Sequence, residues 1–274
     1  MVAQLAPILS EFTGVYFNAC HYNDADILHM LYHIPNLRIL SFGSETVSYH
    51  RQTISPGIDG YTVDVPIPIP THSLSSFHYS VEFGQGYLLQ NPYVQAFLHP
   101  RVHALDKLHL WIDSDSCNVI QEIVIASATT LKDVYVVLVH WRPIKPKEPI
   151  NFAHCSKIEQ LIMGNNSSAL HHIIASLMTM PVPCAVSYLR ILVHTIHELE
   201  LDDNWETLCE LLHNTKAFPD LKVCNIEIHA CNVRRAAEQD VKDLVIYVRE
   251  LFHENHVNFK AQVNRRLGAH VLST

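Results

Sequence analysis

Histidine and cysteine are the side chains most able to do chemistry here, and both are plentiful: 20 His and 7 Cys in 274 residues. His194 and His197 stand three apart in HTIH, His171 and His172 are adjacent, and His229 and Cys231 are two apart. A zinc site needs three or four such ligands converging at tight geometry. The chain has no HExxH and no CxxC pair. Following a strand, His194 and His197 face opposite sides, because side chains alternate. The expectation is no metal, no cofactor, and histidines scattered over surface and half-buried positions.

Other catalytic patterns are equally sparse. There is no G-x-x-x-x-G-K-[ST], no GxGxxG and no G-x-S-x-G elbow. Gly84-Gln85-Gly86 is too short for a phosphate loop and reads as a turn, and eight glycines are few for backbone phosphate cradles. Folding could gather Asp113 and Asp115 with Asp64 or Glu82 for acid–base work. The spacing of Asp113 and Asp115 reads instead as a loop that caps the next helix. Catalysis is not expected; an α/β enzyme of hydrolase type without a recognisable motif is the competing reading.

Composition points the same way. Hydrophobic residues are 48 % and charged residues 17 %, so burial can outweigh chain entropy and the chain is globular. A net charge of −8 opposes nucleic-acid binding, which needs a basic face. An odd number of cysteines within apolar runs reads as reduced and intracellular, which leaves the sequons at Asn165 and Asn166 unused. The N-terminus lacks the basic and apolar regions of a signal peptide, and no apolar run approaches the ~20 residues of a membrane span. Cytoplasm or nucleus is the expected compartment, with no membrane contact.

The elements that must position these residues repeat. Leu-x-x-Leu-x-Leu recurs as Leu105, Leu108, Leu110; Leu37, Leu40, Phe42; Leu74, Phe77, Tyr79; Leu131, Val134, Val136; Ile158, Leu161, Met163; and Leu221, Cys224, Ile226. Looser copies are Phe12, Val15, Phe17 and Leu189, Leu192, His194. The middle residues fall at 15, 40, 77, 108, 134, 161, 192 and 224. Their steps overlap and overshoot the roughly 20–29 residues of a leucine-rich repeat. Alternation on a strand sends the second and third apolar positions inward and those between them outward, with the first packed beneath the turn. Leu108, Leu110, Val134, Val136, Leu161 and Leu192 are expected in the core.

Between the strands, helical spacing covers 24–34, 116–129, 167–180, 202–215 and about 234–255. Asp24 and Ser116 are candidate N-caps. Strand–helix alternation implies parallel strands with helices outside. The expected fold is α/β: a single irregular leucine-rich-repeat-like domain over 1–274, about eight units, with a parallel sheet on the concave side. A proline-rich insert at about 44–73 breaks the rhythm, and RPIKPKEP at 142–149 replaces a helix.

HALDKLHLWID, SATTLKDVYVVL, CSKIEQLIMG, YLRILVHTI and FPDLKVCNIEIHA resemble the C-terminal regions of fungal (mushroom-type) F-box proteins, whose leucine-rich repeats are degenerate. The resemblance spans about 30–255. It implies the substrate-recognition part of a ubiquitin-ligase receptor, or a repeat-only relative, with a protein partner or ubiquitination substrate. That family's F-box, a helical module opening with Leu-Pro and docking on the ligase adaptor, is not found here. Leu5 to Leu9 is too short for it, so adaptor binding is not expected.

The outward positions then define the expected binding face: Tyr16, Ser41, His78, His109, Tyr135, Ile162, Val193 and Asn225, with Trp111 and Val137 just after the strand core. Trp and Tyr are enriched in interface hot spots, and an exposed apolar stripe marks an interaction site.

Overall fold

The computed structural model describes residues 8–18, 21–22, 27, 30–43, 47–48, 73–80, 92–113, 117–139, 148–166, 170–195, 204–231, 237–252 and 258–266. Nine strands form one parallel sheet: β1 (Gly14–Phe17), β3 (Ile39–Phe42), β5 (Ser76–Ser80), β6 (Lys107–Asp113), β7 (Asp133–Val139), β8 (Gln160–Asn166), β9 (Tyr188–Thr195), β10 (Val223–Cys231) and β11 (Asn258–Arg266). β2 (His21–Tyr22) and β4 (Val47–Ser48) pair separately, also in parallel. In the large sheet, spatial order follows chain order. It therefore lacks the reversal of strand order at which doubly wound sheets open a ligand crevice.

A backbone pattern repeats at the seven steps from β1 to β10. At the entry to each of these strands, two successive N–H groups donate to one carbonyl of the preceding unit. Arg38 and Ile39 donate to Thr13, Ser75 and Ser76 to Arg38, and Asp106 and Lys107 to Ser75. Lys132 and Asp133 donate to Asp106, Glu159 and Gln160 to Lys132, Ser187 and Tyr188 to Glu159, and Lys222 and Val223 to Ser187. Each unit thus enters the sheet on a carbonyl supplied by its predecessor, however long the intervening segment.

The apolar positions follow from that entry. Leu37, Leu74, Leu105, Leu131, Ile158 and Val186, one residue before the first member of each donor pair and two before the strand, are all buried. Leu40, Phe77, Leu108, Val134, Leu161, Leu189 and Cys224 align across the sheet and point into the same core. The helices are α1 (Pro92–Leu98), α2 (Cys117–Ala126), α3 (Leu170–Met178), α4 (Asn204–His213) and α5 (Ala237–Leu251). Each buries a stripe at helical spacing in that core: Ile120, Ile123 and Val124 on α2, Leu170, Ile173, Ile174 and Leu177 on α3, and Leu244, Val245 and Val248 on α5. One contiguous cluster runs from Leu9 to Phe252.

Two segments pack in ways the sequence pattern does not foresee. α1 and the 3-10 helix His99–Ala104 fill a stretch for which no helix is expected. There Arg101 is buried, its guanidinium 3.9 Å from the Phe97 ring centre and donating to the Phe97 carbonyl at 2.8 Å. Between β7 and β8 the described residues 148–159 carry no helix, in line with the prolines. Ile150 N–H donates to Ser176 Oγ and Phe152 N–H to Thr179 Oγ1, so the end of α3 satisfies backbone that a helix would have paired internally.

β9 requires a correction. Leu161 pairs with Leu189, and Leu189 with Cys224. The ninth-strand copy is Val186, Leu189, Ile191, not Leu189, Leu192, His194. Val193 consequently faces the core and is buried there, and Leu192, expected in the core, sits on the opposite face. β11 adds a unit beyond the eight expected. Asp24, Leu28, Ser116, most of 44–73, residues 140–147 and His197 lie outside the described residues, as do Asp64, Glu82, Gly84 to Gly86 and Asp115. No helix among the described residues is long and apolar enough to cross a membrane.

Candidate interaction surface

The face of the sheet turned away from the helices is built by the second side-chain parity. One row crosses eight strands in register: Tyr16, Ser41, His78, His109, Tyr135, Ile162, Arg190 and Asn225. Seven of these stand where the sequence places them; Arg190 occupies the position expected for Val193. None of the row belongs to the core cluster. Tyr16 is 68 % exposed at the β1 end and His78 is exposed, while His109, Tyr135, Ile162, Arg190 and Asn225 are half-buried.

The row changes character along its length. In its first half, rings succeed one another across strands: His78 to His109 at 6.0 Å between centres, His109 to Tyr135 at 5.8 Å. These are ordinary cross-strand neighbour contacts of a pleated surface. Although its edge is open to solvent, partial desolvation against the sheet holds the pKa of His78 below the usual histidine range, and the neighbouring His109 adds to that. His109 Nε2 lies 3.3 Å from Asp133 Oδ2, within ion-pair reach but off the angle a hydrogen bond needs. In the second half, Arg190 Nη2 donates to Glu227 Oε2 at 2.7 Å, and Asn225 Nδ2 donates to Tyr188 Oη at 3.1 Å. The Glu227 hydrogen bond raises the already high pKa of Arg190.

The next row toward the C-terminal strand ends is Ser80, Trp111, Val137, Gly164, Leu192 and Glu227. Val137, expected to be available to a partner, is on the expected face but 0 % exposed. It and Leu192 are buried outside the core cluster, closing from both sides over Gly164. A Cβ on Gly164 would lie 2.8 Å from Val137 Cγ2 and 3.1 Å from Leu192 Cβ. A glycine in mid-strand often marks such a close approach.

A cleft of about 420 Å³ opens where the two rows meet the ends of β1, β3, β5 and β6. His78, Ser80, His109, Trp111 and Tyr135 line it, with Asn18 reaching over Gly43 at its far wall. Four of the sequence-predicted residues with aromatic rings, His78, His109, Trp111 and Tyr135, are thereby brought together. Tyr16, Ile162 and Asn225 are strung along the row away from it. Asn18, Ser80, Arg190 and Glu227 were not foreseen. For Arg190 the signal existed, because Val186, Leu189 and Ile191 fit the apolar phrase as well as the copy beginning at Leu189.

Other chemistry-bearing groups on the described residues are inert by environment. Cys209 Sγ is 3.1 Å from His213 Nδ1, the spacing of a nucleophile and its base. Burial pushes that thiol up to about 11, and Sγ also contacts the Leu251 carbonyl at 3.3 Å, so it is a protonated, packed thiol. Cys155 and Cys224 are likewise buried and pushed up to about 11 and about 12. No group of three His, Cys, Asp or Glu side chains able to hold a metal occurs among the described residues. No protein-family model matches this chain, and no curated protein matches it in sequence.

Proposed function

We propose that this chain is a leucine-rich-repeat-type solenoid that binds another protein on the open face of its sheet. In this reading it is the substrate-recognition part of an F-box-type ubiquitin-ligase receptor, or a repeat-only relative, and not an enzyme. The observation that carries the reading is the row of register-equivalent side chains, from Tyr16 to Asn225, on a face outside the core. Repeat proteins present such rows as extended binding surfaces, since each unit contacts only its neighbours. The identical carbonyl step at seven successive strand entries supports equivalence of the units. The resemblance of LDKLHL and its companions to degenerate F-box-protein repeats supports the ligase assignment.

Single substitutions in the row test the reading. Trp111→Ala and Tyr135→Ala are expected to weaken capture of the cognate partner while leaving the thermal melting curve within a few degrees of the parent. Truncating an aromatic anchor at an interface costs ~2 kcal/mol or more of binding. Intact capture in both variants, or collapse of the fold in both, removes the open face as the binding site.

A second expectation concerns the ligase adaptor. Phe12 to Phe17 already lead into the first strand of the ladder, and Leu5 to Leu9 is too short for the adaptor-docking module. Mixed with purified adaptor, the 274-residue chain is expected to elute separately in size-exclusion chromatography. A stoichiometric complex would overturn that expectation.

A further inference from the structure

The cleft at His78, His109, Trp111 and Tyr135 differs from the rest of the open face in its charge. None of the described residues lining it is Lys, Arg, Asp or Glu. Its walls include the rings of His78 on β5, His109 and Trp111 on β6 and Tyr135 on β7, together with Asn18 and Ser80. Among the described residues the fixed charges around it are few. Asp133 stands against His109 at 3.3 Å, with Lys107 its register partner one row toward the strand starts. Arg190, two strands from Tyr135, is engaged by Glu227. The chain as a whole carries −8.

Aromatic faces present negative electrostatic potential, and they attract cations most strongly where water is partly excluded. An anion placed there meets ring faces and the field of a net-negative protein. We propose that this cleft seats a cationic side chain of the protein partner, a lysine, an arginine or a methylated ammonium, held by the rings of Trp111, Tyr135, His78 and His109. The inference rests on the protein-interaction reading above and deepens it by naming what the partner must carry.

The His78 imidazole makes the site conditional on pH. That ring serves as a wall only while uncharged. His78 faces His109 on β6 and the non-titrating Ser41 on β3; Asp133 and Tyr135 lie beyond His109 on β7. Burial and the neighbouring His109 hold His78 neutral to a pH below its ordinary 6.5. As pH falls through that lowered value the ring gains a charge inside the cleft and repels a bound cation, so affinity is kept at neutral pH and lost in acid.

The test titrates the full chain with tetramethylammonium, following the Trp111 indole N–H resonance, assigned through Trp111→Phe. The isosteric neutral tert-butanol and the anion acetate are the controls. Saturable binding of tetramethylammonium is expected at neutral pH, about tenfold tighter than tert-butanol. Binding is expected to fall in acid, and to be abolished in His78→Lys with an unchanged melting curve. In His78→Gln, whatever its neutral-pH affinity, the acid dependence flattens. Equal response to tert-butanol, preference for acetate, or undiminished binding in His78→Lys overturns the proposal. Lost partner capture in Trp111→Ala without any ammonium response would remove the cation and leave the interaction reading standing. A preserved ammonium response with capture unaffected would do the reverse.

Discussion

Leu108→Ala is expected to destabilise the protein by ~2–5 kcal/mol, the usual cost of truncating a leucine in a core that relaxes only partly. Leu108 is on β6, in register with Phe77 on β5 and Val134 on β7, and all three are fully buried. A cavity at Leu108 therefore strips contacts from both neighbouring strands at once. Because spatial order follows chain order, those neighbours are also the adjacent units in sequence. In a linear array, stability is approximately a sum of unit and nearest-neighbour terms, so the loss spreads to two interfaces. Chemical denaturation reads the effect as a lowered midpoint. Ile125→Ala, on the exposed side of α2, is the control and is expected to stay within about 0.5 kcal/mol of the parent. A Leu108→Ala shift of only a few tenths would place Leu108 outside the core and break the assigned register.

Gly164→Ala is the second large effect, at ~1–3 kcal/mol, as for methylenes forced into a packed site. The added methyl would meet Val137 Cγ2 at 2.8 Å, Val137 Cγ1 at 3.1 Å and Leu192 Cβ at 3.1 Å. None of these atoms is the far end of a flexible chain. Val137 is β-branched and stiff at χ1, and Leu192 Cβ moves only with its backbone. Val137 is fully buried, so it has no open space into which to turn. Val137→Ala removes both offending methyls. In the double variant the two changes should therefore compensate, with a coupling of about 1 kcal/mol or more in a denaturation cycle. Additive losses would mean that Gly164 is present for some reason other than the close approach of β7 and β9.

The consequence for binding is a division of the open face. Where Val137, Gly164 and Leu192 close on one another, the face is sealed, with Val137 and Leu192 both buried. The ring-lined cleft lies to one side of that seal and the Arg190–Glu227 pair to the other. In the proposed binding mode, a partner crossing the row meets aromatic rings first and the neutralised Arg190–Glu227 pair last. Half-exposed pairs of that kind fix register more than they add affinity.

Much of this was written locally. Leu105, Leu108 and Leu110 declare an inward-facing strand through spacing alone, because alternation is a property of any extended backbone. The same holds for the stripes of α2, α3, α4 and α5, whose helical period is visible in the apolar residues. Parallel pairing follows from the alternation of those two patterns, and the outward residues of seven strands follow from the inward ones. Residues 186–194 show where local pattern stops being sufficient. In AVSYLRILVH, apolar residues occur on both parities, so two registers satisfy the same phrase. Only the hydrogen bonds of Ser187 and Tyr188 to the Glu159 carbonyl select one, sending Val193 inward and Arg190 outward. Burial on the open face is likewise a tertiary fact. Val137 and Trp111 sit at equivalent strand positions, yet Val137 is fully buried beside Gly164, while Trp111 borders the cleft. Sequence determined which residues alternate; the meeting of separate strands decided which of them a partner can reach, because access depends on neighbours contributed from elsewhere in the chain.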